Sequence, residues 1–188
     1  MKKLVRSAFL FAGLAGTFAP LAQAAGPHVH GVGALNLAVD GTGVFIELHS
    51  PAADVFGFEH APRTAGQREQ VAAAMVRLAD GAALFRAPAE AGCELREAAP
   101  VSPFEDESGH GHDHGHHHEE HGHDHGGHEA HADVSATYGF ACAAAPAWVE
   151  VGLFEAFPGM QRLDVQFITA SGQGKAVLER GASRLDLP

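Results

Sequence analysis

The chain has 188 residues, with 12 Lys+Arg against 23 Asp+Glu and a formal net charge of −11. That balance argues against a nucleic-acid binder or a polybasic membrane-surface protein, both of which need clustered cations. Hydrophobic residues make up 46 %, enough to bury a core; the anomaly is 15 His beside a single Tyr and a single Trp.

The first 24 residues read as an export leader. Lys2, Lys3 and Arg6 form a positive start, Phe9 to Leu21 is apolar, and Ala22-Gln23-Ala24 has the small-x-small form of a cleavage site. The apolar run is shorter than a membrane span and contains Pro20. The expected product is therefore a periplasmic protein with no membrane insertion after cleavage. It comprises one domain over residues 25–188, interrupted by a loop at 105–131.

Downstream, VHGVGALNLAVDGTGVFIELHS predicts a hairpin. Val29, Leu35, Leu37 and Val39 alternate with the even positions, the period-2 pattern of a strand. Asp40-Gly41-Thr42-Gly43 is turn chemistry, and Val44, Ile46 and Leu48 alternate again. Pairing 39 with 44 brings 37 to 46 and 35 to 48, apolar on apolar throughout, so the register is self-consistent. The opposite face then carries Asn36 across from Glu47 and Ala34 across from His49, with His28 and His30 further out on it.

Thr64-Ala-Gly-Gln67 has the form of a capping box, and Val71, Met75 and Leu78 follow at helical spacing, with Gly81 as the expected C-cap. Leu84-Phe85 and Cys93 to Glu97 read as short strands. After the loop, Val134, Ala136, Tyr138, Phe140 and Cys142 share one strand face. Val149 to Phe154 is strand-like, Phe157-Pro158-Gly159 breaks it, and Leu163, Val165 and Phe167 alternate. Ser171 to Gly174 then turns the chain into Lys175 to Glu179. Strands dominate, one clear helix is present and no βαβ alternation occurs. The predicted class is α+β, an antiparallel sheet with one main helix and a long disordered His-rich insert.

Two Cys occur, Cys93 and Cys142, one on each side of the insert. In an oxidising compartment an even pair is expected to form a disulfide.

The insert Glu105 to His131 reads EDESGHGHDHGHHHEEHGHDHGGHEAH. It has no aliphatic side chain larger than Ala and no Lys or Arg, so it has nothing to anchor it in a core. Eleven imidazoles crowd into 22 residues: His110, His112, His114, His116, His117, His118, His121, His123, His125, His128 and His131. Imidazole and carboxylate are both zinc ligands, commonly four to an ion, so several overlapping ligand sets are available. The same imidazoles hold Cu²⁺ more tightly than Zn²⁺ and also take Ni²⁺. Alternative readings are a solvated linker or a tract that titrates near neutrality.

Outside the insert stand His28, His30, His49 and His60. His28 and His30 at i and i+2 on a strand would share a face with His49, with Glu47 nearby. That constellation predicts a fixed site of two or three His with a carboxylate, His60 being the other candidate third ligand. No enzyme motif is complete: SGQGK at 171–175 lacks the phosphate-loop spacing, and neither H-E-x-x-H nor G-x-S-x-G occurs.

The segments HVHGVGALNLAVDG, FIELHSPAADVFGFEHAP, the AGC before the insert, ATYGFAC after it, and LFEAFPGMQRLDVQFITASGQGKAVL resemble the ZrgA family of bacterial periplasmic zinc-uptake proteins. The resemblance covers nearly all of the chain after the leader. It places His28 and His30 on the HVHG motif and His60 on GFEHAP, whereas His49 stands where the resemblance leads one to expect Glu. It implies a zinc-binding accessory, not an enzyme, that passes Zn²⁺ to an ABC importer or its substrate-binding protein. The alternatives are a periplasmic buffer or resistance protein for Zn, Cu or Ni, and an exported metalloenzyme.

Overall fold

The computed structural model describes residues 29–104 and 132–188. The predicted leader, His28 and the insert lie outside them. The elements are β1 (Val32–Asp40), β2 (Gly43–Pro51), α1 (Ala52–Phe56), α2 (Ala65–Ala79), α3 (Gly81–Leu84), β3 (Phe85–Arg86), β4 (Glu94–Val101), β5 (Asp133–Ala141), β6 (Trp148–Val151), α4 (Leu153–Ala156), β7 (Arg162–Thr169), β8 (Gly172–Glu179) and β9 (Arg184–Asp186). Strands form a six-stranded sheet in the order β4-β5-β2-β1-β7-β8 and a smaller one in the order β3-β6-β9. The class is α+β, as expected.

The β1–β2 hairpin has the register that its apolar pattern dictates: Leu35 faces Leu48, Leu37 faces Ile46 and Val39 faces Val44. Leu35, Leu37, Val44, Ile46 and Leu48 are buried, and Val134, Ala136, Tyr138 and Phe140 of β5 continue that face. α2, α4 and the small sheet contribute Leu78, Leu153, Phe154 and Val149 to the same core. The other face of the large sheet is open and carries Phe45, Glu47 and His49.

Four differences from the sequence reading have identifiable physical causes. β1 and β7 pair in parallel, so the sheet is antiparallel at every other strand contact but not at this one. The pairing joins segments more than a hundred residues apart, and alternation within either strand carries no information about it. α2 begins with the predicted capping box, the Thr64 hydroxyl accepting from Gln67 N and the Gln67 side chain accepting from Thr64 N. It ends at Ala79, however, with Asp80 as its cap. Gly81 is the first residue of α3, where a Cβ would meet the Tyr138 ring at 2.6 Å. The strand expected at Val149 to Phe154 stops at Val151, because the Gly152 backbone turns in to donate to the Leu84 carbonyl and the chain continues as α4. Finally, β1 starts at Val32, so His30 precedes the strand instead of lying on its face.

The disulfide expected between Cys93 and Cys142 is present. It joins the entry of β4 to the residue after β5, at the far end of the same strand pair from which the insert leaves. There, Val101 faces Ser135, so the described residues flanking the insert sit on neighbouring strands.

Candidate metal centre

The chain before β1 is fixed largely through one residue, Gly31. Val32 N donates to the Val29 carbonyl, and Gly31 has φ +84°, a conformation that disfavours any side chain. The Gly31 N–H donates to both carboxylate oxygens of Asp54, at 2.8 and 2.9 Å. Its carbonyl accepts from Gln161 N and Arg162 N, both at 2.9 Å. Asp54 lies in α1 and is buried. Burial pushes its carboxyl above the usual aspartate range, while the Gly31 N–H and His30 pull it down. α1 is pressed in turn against the turn after α4, where a Cβ on Gly159 would stand 2.7 Å from the Asp54 carbonyl oxygen. Three segments singled out in the sequence, the described residues 29–31 of HVHG, GFEHAP with the helix before it, and LFEAFPG, therefore converge on the Gly31 corner.

His30 is carried outward by that turn. Its Nε2 lies 2.7 Å from Glu59 Oε1, with the ring more exposed than the carboxylate, at 62 % against 23 %. Glu59 reaches it because α1 ends in left-handed Gly57, which reverses the chain. A cleft of about 660 Å³ opens beside the ring, bordered by Gln161, Arg162, Glu179 and Arg180.

His49 lies elsewhere, on the open sheet face. Its Nε2 is 3.1 Å from Glu47 Oε1, and Asn36 donates to the other oxygen of the same carboxylate at 3.0 Å. These two contacts, the Asn36 bond first, hold the Glu47 carboxyl below the usual glutamate range. His60 pairs its Nδ1 with the neighbouring Ala61 carbonyl at 2.9 Å and stacks on Phe58, ring centres 5.2 Å apart.

One chemical feature unites the three. A carboxylate and a carbonyl only accept, so the ring nitrogen facing each oxygen must carry the proton. In the neutral ring the lone pair is then at Nδ1 of His30, Nδ1 of His49 and Nε2 of His60. That is the arrangement metal-binding imidazoles use, one nitrogen to an oxygen acceptor and the other to the ion.

The structure does not gather these rings into one cluster. Among the described residues, no three His, Cys, Asp or Glu stand together in a geometry that would hold an ion. His28 and all eleven insert histidines lie outside the described residues. Sequence reasoning missed Asp54 and Glu59. Glu59 was adjacent to a flagged residue, His60, but its partner is 29 positions away and no local pattern marks it.

No helix among the described residues is long and apolar enough to cross a membrane. No curated protein matches the sequence. The family described as ZrgA family zinc uptake protein matches residues 27–187, so the chain belongs to that family.

Proposed function

We propose that this member of the ZrgA zinc-uptake family is a periplasmic protein that captures Zn²⁺ and hands it to an ABC importer or that importer's substrate-binding protein. Residues 1–24 direct export, and residues 25–188 form the zinc-binding domain. The histidines between His110 and His131 supply capacity. His28 and His30, with His49 or His60 as further ligands, supply a preorganised hold in the folded part. The family match carries the zinc-uptake role. The chemistry agrees with it: imidazole suits zinc better than it suits the hard cations calcium and magnesium, which prefer oxygen ligands. Family membership points to transport and not to an enzyme.

Capture and release place opposite demands on the ligands. A dense tract of imidazoles offers many exchangeable sets, so ions are collected and passed on without a single deep well. The Gly31 corner is held by backbone bonds on both sides, so less ordering entropy is lost when an ion arrives. The test is growth of cells with and without the gene under zinc chelation, restored by added Zn²⁺. Uptake predicts a growth defect at scarcity and induction by scarcity. Induction by excess, with normal growth under chelation, would replace this reading with a protective buffer.

A further inference from the structure

Glu179 and Arg180 line the cleft beside Gly31, together with Arg162, Gln161 and Val32. Among the described residues neither of the two has an ion pair, so one open negative and one open positive charge border the same space. We propose that this cleft is a binding site for a free α-amino acid, Arg180 with Arg162 taking the carboxylate and Glu179 the ammonium group. The inference stands apart from zinc capture and is tested on metal-free protein.

The Arg180 guanidinium is anchored through one nitrogen. Its Nη2 donates to the Pro158 carbonyl at 3.0 Å and lies 3.5 Å from the Met160 carbonyl. Carbonyls fix the side chain without cancelling its charge, and among the described residues Nε and Nη1 donate to nothing. Arg86, Arg96, Arg162 and Arg184, by contrast, each have a carboxylate partner. Glu179 ends β8 and faces Arg162 of β7 in the strand register. Cross-strand neighbours of opposite charge ordinarily pair. Here the Arg162 guanidinium is turned along its own strand, with Nε and Nη2 both donating to Asp164 Oδ1, at 2.9 and 2.6 Å. Arg162 keeps Nη1 for a ligand but shares its charge with Asp164, which leaves Arg180 as the principal cation of the cleft.

A simple anion would satisfy the arginines and be repelled by Glu179; a simple cation would meet the reverse. A zwitterion satisfies both, and contacts that are weak singly at exposed side chains reinforce each other when one ligand makes them together. His30, the other ionisable group of the lining, is already paired with Glu59. The walls are set before a ligand arrives. Gly31 accepts from the Gln161 and Arg162 amides, and the Gln161 side chain packs 3.3 Å from where a Cβ on Gly31 would stand. Val32 and Pro158 supply the apolar part of the lining, where an aliphatic side chain would lie. The volume of about 660 Å³ is in the range of small-molecule sites.

The experiment titrates the metal-free full chain, labelled with ¹⁵N, with three probes at constant ionic strength. They are L-valine, isovalerate, which lacks the ammonium group, and isobutylamine, which lacks the carboxylate. L-valine should move the amide resonances of Gly31, Gln161, Arg162 and Arg180. It should saturate them at a concentration about 5–10-fold below that needed by either half-ligand, the gain expected from one further charged hydrogen bond at an exposed site. Glu179→Gln should weaken L-valine by a similar factor and leave isovalerate no weaker. Arg180→Gln should weaken L-valine and isovalerate and leave isobutylamine no weaker. Isovalerate binding as tightly as L-valine, or L-valine unaffected by either substitution, would overturn the proposal. So would resonances at this corner that do not respond to L-valine; this test needs the parent alone and holds if a variant does not fold. Zinc bound by the chain in equilibrium dialysis while L-valine is ignored would end this proposal and leave the uptake reading standing.

Discussion

The Gly31 amide and the Asp54 carboxylate are joined by two hydrogen bonds of 2.8 and 2.9 Å, across 23 residues. This buried carboxylate accepts from the Gly31 amide and holds the start of β1 to α1. The same turn carries His30. The stability of this corner and the placement of His30 therefore depend on one contact.

Removing that contact should be costly. Asp54→Ala leaves the Gly31 N–H without its acceptor, and a buried unsatisfied donor costs about 1–3 kcal/mol. Denaturant unfolding should show a loss of that size. A stability equal to that of the parent would mean that the contact is not needed to hold the corner.

The hairpin register was legible because period-2 alternation in both strands brings Leu35, Leu37 and Val39 to Leu48, Ile46 and Val44 on one face. The capping box was legible because both partners lie within four residues. The placement of His30 was not. Alternation read through Val29 extended the strand too far, whereas Gly31 at positive φ turns the chain before Val32. Glu59 and Asp54 were invisible for a related reason: their partners are brought by tertiary packing, and the sequence near them shows only an acidic residue in a loop and one in a short helix.

The disulfide should dominate the cohesion of the β4–β5 end opposite the insert. Cys93 and Cys142 are 49 positions apart, and closing a loop of that length is worth about 4 kcal/mol on loop-entropy grounds. Cys93→Ser together with Cys142→Ser should lower the unfolding free energy by a comparable amount. Two titratable thiols in protein purified from the periplasm would contradict the pairing.

Tyr138 gives an alkaline signature. Its phenol is buried and donates to the Leu78 carbonyl at 2.9 Å, and burial raises its pKa above the usual 10.0. Above pH ~10 the unfolded chain releases this proton while the folded chain keeps it, so the unfolded state binds fewer protons and stability falls as pH rises. Below that pH the group has no effect on the slope. Tyr138→Phe should flatten the alkaline decline relative to the parent, at a cost of about 1 kcal/mol at neutral pH for the lost bond. Parallel pH profiles for the two proteins would sink this account.

Deleting residues 105–131 should leave the fold intact. Val101 and Ser135 already face each other on paired strands, so a short linker closes the gap at modest entropic cost. Zinc stoichiometry should fall by most of its value, and total binding by the full chain should weaken below pH ~6.5, where imidazole protonates and competes with the ion. Unchanged stoichiometry in the deleted protein would show that the insert is not the reservoir.

The most direct measurement is zinc titration calorimetry on that insert-deleted chain, with and without His28→Ala and His30→Ala. The account predicts a tight site remaining after the deletion and lost in the double variant, whose circular dichroism matches the parent. Zinc binding that survives the two substitutions unchanged, or no tight binding in the deleted chain, would contradict a fixed site at the N-terminal corner.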